Sequence, residues 1–200
     1  MDQLQPVFRN NRQEIWDELC EHLDESGKKW DGKKVTVRHG NFVVSLDVHA
    51  ELAGYASRVV TRLRAAYINR DGFRFRLRRS NWLSDISVML GTQDIKVGDE
   101  AFDEAFVISS NNEEKAKWLL DDAALRDALR TSQADLVEVR DDEGDFGPAF
   151  PVAVDELYLH SRQRLTAYGE IEKLYAVFSE LLNRLCHMGS AYEDDPHLAL

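Results

Sequence analysis

The amino-acid sequence predicts an α+β fold, an antiparallel sheet with N-terminal and C-terminal helices packed on one face. Three observations lead there. Hydrophobic residues recur at helical spacing near both ends of the chain, they alternate with a period of two through much of the first half, and the strands come in runs instead of alternating with helices. At 200 residues the chain has the length of a single domain and can bury well over half of its unfolded-state surface. With 44% hydrophobic and 30% charged residues it is not of a disordered class, and 4 Pro and 11 Gly exclude a collagen-like or linker-dominated chain.

The first element is a helix over 12–26. Asn11 and Glu14 have the spacing of a capping box, Ile15, Trp16, Leu19, Cys20 and Leu23 fall on one stripe, and Gly27 stops it. The period then changes to two, and 34–110 reads as mainly antiparallel sheet. Val35 and Val37 alternate with Lys34, Thr36 and Arg38; Gly40 and Asn41 supply a tight turn; Phe42, Val44, Leu46 and Val48 continue on a second strand. A second hairpin is expected between 59–67 and 73–78, joined by the turn-forming Asn69, Arg70, Asp71 and Gly72. The run 82–97 fits strand and helix equally, and 102–108 reads as a strand.

Helical spacing returns over 112–130, where Asn111 and Glu114 suggest one cap and Asp121 another. Strands and loop follow over 135–160, with an acidic turn at 141–145. The strongest periodicity is in a C-terminal helix over 169–189, where Ile171, Leu174, Tyr175, Phe178, Leu181, Leu182 and Leu185 form a wide apolar stripe; 190–200 is expected to fray.

The formal net charge of -11 conceals a partition. Residues 28–79 carry 13 bases and 4 acids, flanked by segments of net -5 and -15. On the expected strands Arg62 and Arg64 share a face, as do Arg74, Arg76 and Arg78, opposite Phe73, Phe75 and Leu77. Five neighbouring guanidinium groups repel one another and call for anions. The acidic half of the protein can supply them, through 99–104 or 141–145, as surface pairs worth about 1 kcal/mol or less each. An anionic partner is the other source, since guanidinium suits bidentate recognition of carboxylate or phosphate. A pI near 5.0, with no RNA-binding aromatic signature, argues against nucleic acid.

Enzyme signatures are sparse. The chain has no phosphate-binding glycine loop, no dinucleotide fingerprint and no nucleophile elbow, and its 6 His are scattered. Asp94, Asp99 and Asp103 lie near Gly98 and supply the hard oxygen ligands that a divalent cation takes, though not at calcium-loop spacing. Cys20 and Cys186 read as reduced packing residues, and no stretch has signal-peptide or membrane-spanning character, which points to a cytoplasmic protein.

One segment also carries a resemblance. Asp71, Gly72, Phe73 and Phe75, then Gln93, Asp94 and Ile95, then Gly98, Asp99, Phe102, Asp103, Phe106, Val107 and Ile108, and finally Leu119, Leu120, Leu125 and Leu129 make the stretch 69–129 resemble a family of uncharacterised bacterial domains, one of the domain-of-unknown-function groups. The stretch 168–185 is similar to that family's closing helix. The resemblance implies no catalytic residue, and the membrane-spanning segments that precede the domain in some relatives have no counterpart here.

The sequence thus points to a binding domain without cofactor or catalytic residue. Its expected site is Arg62, Arg64, Arg74, Arg76 and Arg78, and its expected partner is a protein chain or a small anionic ligand. A metal-assisted enzyme around Asp94, Asp99 and Asp103 and a structural homo-oligomer are the alternatives.

Overall fold

A computed structural model describes residues 7–23, 29–53, 56–82, 94–142, 149–191 and 196. Its elements in chain order are α1 (Val7–His22), β1 (Val35–His39), β2 (Phe42–Ala53), β3 (Ala56–Ile68), β4 (Phe75–Arg79), a 3-10 turn (Ser80–Trp82), α2 (Glu100–Ala105), β5 (Phe106–Ser110), α3 (Glu113–Leu119), α4 (Ala123–Thr131), β6 (Leu136–Arg140), β7 (Val154–Ser161) and α5 (Tyr168–His187). The expected α+β class holds, with the terminal helices on one face of an antiparallel sheet.

Seven strands form that sheet in the order β1-β2-β3-β7-β6-β4-β5, every neighbour antiparallel. The first hairpin is as expected. His39 pairs with Phe42 around Gly40 and Asn41, and Gly40 takes φ 59°, a left-handed conformation that costs glycine little.

The second expected hairpin does not form. β3 and β4 lie apart, with β7 and β6 inserted between them. The six residues from Asn69 to Arg74 cross the end of the sheet instead of reversing at it. Three strand spacings are about 14 Å, within the roughly 20 Å reach of six extended residues. Turn chemistry still shapes the crossing: the Gly72 amide donates to Asn69 Oδ1 at 3.0 Å and the Phe73 amide to Asp71 Oδ1 at 2.9 Å.

Further expectations change: α3 and α4 are capped by Asn112 and Asp122, each one residue after the expected Asn111 and Asp121. Asn11 lies inside α1, which begins at Val7. The sequence has proline at position 6, a residue type suited to a helix start, and nothing between Val7 and Asn10 that breaks a helix. The stretch read as a strand at 102–108 divides into α2 and β5. Asp99 caps α2 by accepting from the Phe102 amide, and the Phe102 and Phe106 rings pack with centroids 4.8 Å apart. Most of 82–97, the expected end of the first helix and the acidic positions 143–145 lie outside the described residues.

One face of the sheet is apolar. Val44, Leu46, Leu63, Ala65, Leu157, Leu159, Val137, Val139, Phe75, Leu77 and Ile108 are buried in one cluster with side chains of all five helices. Helix α5 lies at its centre, packed on α1, α3 and α4, and Trp16 of α1 stacks on Tyr175 of α5 at 5.1 Å. Each fully buried Leu in this layer contributes about 1.5–3 kcal/mol. With the helices committed there, the polar residues of the strands are left to the opposite face.

Candidate functional site on the polar sheet face

The site follows from strand register. One row across the polar face contains Ser45, Arg64, Tyr158, Glu138, Arg76 and Ser109, and the next contains Asp47, Arg62, His160, Leu136, Arg78 and Val107. By the same alternation Arg38 and Arg140 belong to a third row, and Glu51 faces Arg58 on the β2–β3 hairpin. The strands thus bring seven arginines (Arg38, Arg58, Arg62, Arg64, Arg76, Arg78 and Arg140) to this face against four carboxylates (Asp47, Glu51, Glu138 and Glu156). In a chain of net charge -11 this face has a positive surplus.

Most of the arginines expected to form the site are matched from neighbouring strands. Arg62 donates through Nε and Nη2 to Asp47 at 2.7 and 3.0 Å, a bidentate pair. Arg64 Nε donates to Glu156 Oε2 at 2.7 Å, Arg140 Nε to Glu156 Oε1 at 2.7 Å, Arg140 Nη1 to Glu138 Oε1 at 3.3 Å, and Arg76 Nε to Glu138 Oε2 at 2.7 Å. The result is an alternating chain Arg64, Glu156, Arg140, Glu138, Arg76 across four strands. Glu156 is fully buried; burial raises its carboxyl, against the pull of Arg140 and Arg64. Isolated in that position its charge would be prohibitive, so the two arginines are what keep it there.

The hairpin end of β2 and β3 covers part of this network. Tyr158 Oη donates to Glu51 Oε1 at 2.5 Å, and His160 Nδ1 lies 3.1 Å from that hydroxyl and 3.4 Å from Glu51 Oε1. Tyr158 is level with Ser45 in the register, six residues from Glu51, so in a flat sheet the two would stand roughly 20 Å apart along the strands. Their contact therefore requires the hairpin to curl over the polar face. Burial acts to raise the Glu51 carboxyl, but the hydrogen bonds from His160 and Tyr158 outweigh it and hold the group at about 2. Burial and the neighbouring Glu51 carboxylate push the Tyr158 hydroxyl far above its ordinary range, and the Arg140 guanidinium lies 3.8 Å over the Tyr158 ring.

The uncovered strip lies along β4. The Arg76 side chain is 44% exposed, and Arg78, half-buried, makes no ion pair with another described residue. Arg74 stands apart at the sheet end, where it pairs with Asp155 and Asp141. The five arginines thus divide into a clasped pair (Arg62, Arg64), an open pair (Arg76, Arg78) and one at the sheet end. Periodicity made Arg62 and Arg64 legible but not the acids that meet them. Glu138, Arg140, Glu156, Tyr158 and His160 alternate on their strands just as clearly, and that shared parity is the signal by which they could have been found.

Asp94, Asp99 and Asp103 serve local structure. Asp94 accepts from the Ile108 amide at 3.2 Å, Asp99 caps α2 and pairs with Arg126 at 2.9 Å, and Asp103 accepts from the Val97 and Gly98 amides at 2.9 and 3.0 Å. Among the described residues no three His, Cys, Asp or Glu side chains are grouped so as to hold a metal ion, and no helix is long and apolar enough to cross a membrane. No family model, curated protein or solved structure matches this chain.

Proposed function

We propose that the protein is a binding domain that receives an acidic, extended segment of a protein partner along β4. The observation that carries this reading is the open strip itself. Arg76 and Arg78 face outward there, and the carboxylate opposite Arg76, Glu138, is already shared between Arg76 and Arg140. Arg76 and Arg78 are two residues apart, about 6.6 Å, which matches alternate carboxylates of a strand-like segment better than it matches one small anion. Arg62, Arg64 and Arg140 are instead paired with Asp47, Glu156 and Glu138 on neighbouring strands. Cys20 and Cys186 form no disulfide, in keeping with a reducing cytoplasm, and membership of the bacterial family noted above is part of the same reading.

The test uses a fluorescein-labelled decapeptide of alternating Glu and Ser, with alternating Lys and Ser as its control, followed by anisotropy. The acidic peptide is expected to bind in a salt-sensitive way, and the double variant Arg76→Ser, Arg78→Ser to weaken it by about threefold or more, as expected for two exposed ion pairs. Equal affinity for the two peptides, or no change in the variant, overturns the reading.

A further inference from the structure

At the end of the sheet opposite the curled hairpin, the crossing from β3 to β4 meets the segment leading into β7 and leaves a cleft of about 310 Å³. Its polar wall is Asn69, Arg74, Asp141 and Asp155; Phe150 supplies an apolar side, and the exposed Arg70 and Val152 lie at the rim.

The state of Asp155 sets the chemistry. The residue is 3% exposed, and Asn69 Nδ2 and Arg74 Nη1 both donate to the same oxygen, Oδ2. Oδ1 makes no hydrogen bond with a described residue. Burial raises the carboxyl against the effects of Asn69 and Arg74, so its ionised form is under-compensated as it stands. Asp141, its side chain 63% exposed, accepts from Arg74 Nη2 at 3.0 Å and brings a second carboxylate to the opening.

The wall that closes the cleft has a fixed shape. The Asn69 amide donates to the Ala153 carbonyl at 2.7 Å, the Phe150 amide to the Asp141 carbonyl at 2.8 Å, and the Val154 amide to the Pro151 carbonyl at 2.9 Å. Ala153 sits at φ 65°, a conformation that costs a residue with a Cβ about 1 kcal/mol and is held by those bonds. Arg74 is occupied by its two carboxylates and Arg70 stands at the rim, so the lining holds two carboxylates and two guanidinium groups, and the acceptor it leaves over is Asp155 Oδ1.

We propose that this cleft binds a small organic ammonium ion, its NH3 group on Asp155 Oδ1 with Asp141 alongside, and its apolar body against Phe150. The volume is at the lower end for small-molecule sites, which limits the ligand to a compact amine. The site is separate from the β4 strip, so the two readings stand or fall independently.

Phenethylamine is the probe, with 2-phenylethanol as its neutral isostere and phenylacetate as its anionic counterpart, titrated into the full chain by calorimetry at low salt. Phenethylamine is expected to saturate one site and to bind about tenfold tighter than 2-phenylethanol, the margin that a charge-assisted hydrogen bond gives. Asp155→Asn should abolish that margin while circular dichroism remains unchanged. Asp141→Asn, at an exposed position, should reduce it severalfold in a protein that folds normally, and so decides the matter if the first variant does not fold. Equal binding of the amine and the alcohol, an undiminished margin in a folded Asp155→Asn, or, where that variant does not fold, an undiminished margin in Asp141→Asn, overturns the proposal.

Discussion

Tyr158 on β7 donates its hydroxyl hydrogen bond to Glu51 on β2 across the intervening strand β3, at 2.5 Å. That bond fastens the curled end of the long hairpin over the ion-paired rows beneath it. It also divides the polar face into a closed part, where side chains serve stability, and an open strip along β4.

The clasp makes stability depend on acid. The Glu51 carboxyl is held at about 2 in the folded chain against 4.5 for an unperturbed Glu. A depressed carboxyl contributes stability that is present above the unfolded value and lost as pH falls toward the folded one, so the loss falls between pH 4.5 and 2. The upper limit is about 3 kcal/mol. Urea melts across that range should show Glu51→Gln losing less stability on acidification than the parent chain. Identical pH profiles for the two proteins contradict the clasp.

Glu156 gives the largest expected effect of a single polar substitution. It is fully buried and accepts from Arg64 and Arg140 at once. Glu156→Gln removes the buried charge that Arg64 and Arg140 share and should cost about 3–5 kcal/mol. The midpoint of chemical denaturation measures it. A loss below 1 kcal/mol would indicate a solvated pair in place of the buried one.

The strand order has its own check. Ile68 and Val154 are Cα partners on β3 and β7. Partners in an antiparallel ladder stand about 4.5–5.5 Å apart, which a disulfide spans. The double variant Ile68→Cys, Val154→Cys should therefore oxidise to one intramolecular crosslink, seen as a mobility change on a non-reducing gel. Two persistent thiols under mild oxidation are the opposing result.

Local pattern carried much of the fold. Val35, Val37, Phe42 and Val44 alternate cleanly around Gly40 and Asn41, and the α5 stripe from Ile171 to Leu185 has no competing period, so both elements were legible. The fate of Asn69, Arg70, Asp71 and Gly72 was not, because the same residues turn a hairpin or bend a crossing link. What decides between them is which strand fills the vacant side of β3, and β7 begins 85 residues after Asn69, at Val154. Phe102 and Phe106 were ambiguous for a different reason. Their spacing suits a helix, but 102–108 is short enough to read as a strand, and the Asp99 cap that settles the matter is also a turn residue.

The site was legible by halves. Arg62 and Arg64 announce a polar face by alternation, and Arg76 and Arg78 do the same on β4. That the two pairs are joined through Glu156, Arg140 and Glu138 depends on β7 and β6 lying between them, which no local pattern encodes.

The central claim is that the open strip on β4, and not the clasped rows, meets a partner. The direct measurement is a titration of the alternating Glu and Ser decapeptide into nitrogen-15-labelled protein, following the arginine Nε–H signals. The account predicts that the Arg76 and Arg78 signals move in a saturable way and that those of Arg62 and Arg64 stay in place. Shifts confined to other arginines, or no shift at any arginine up to saturating peptide, would contradict it.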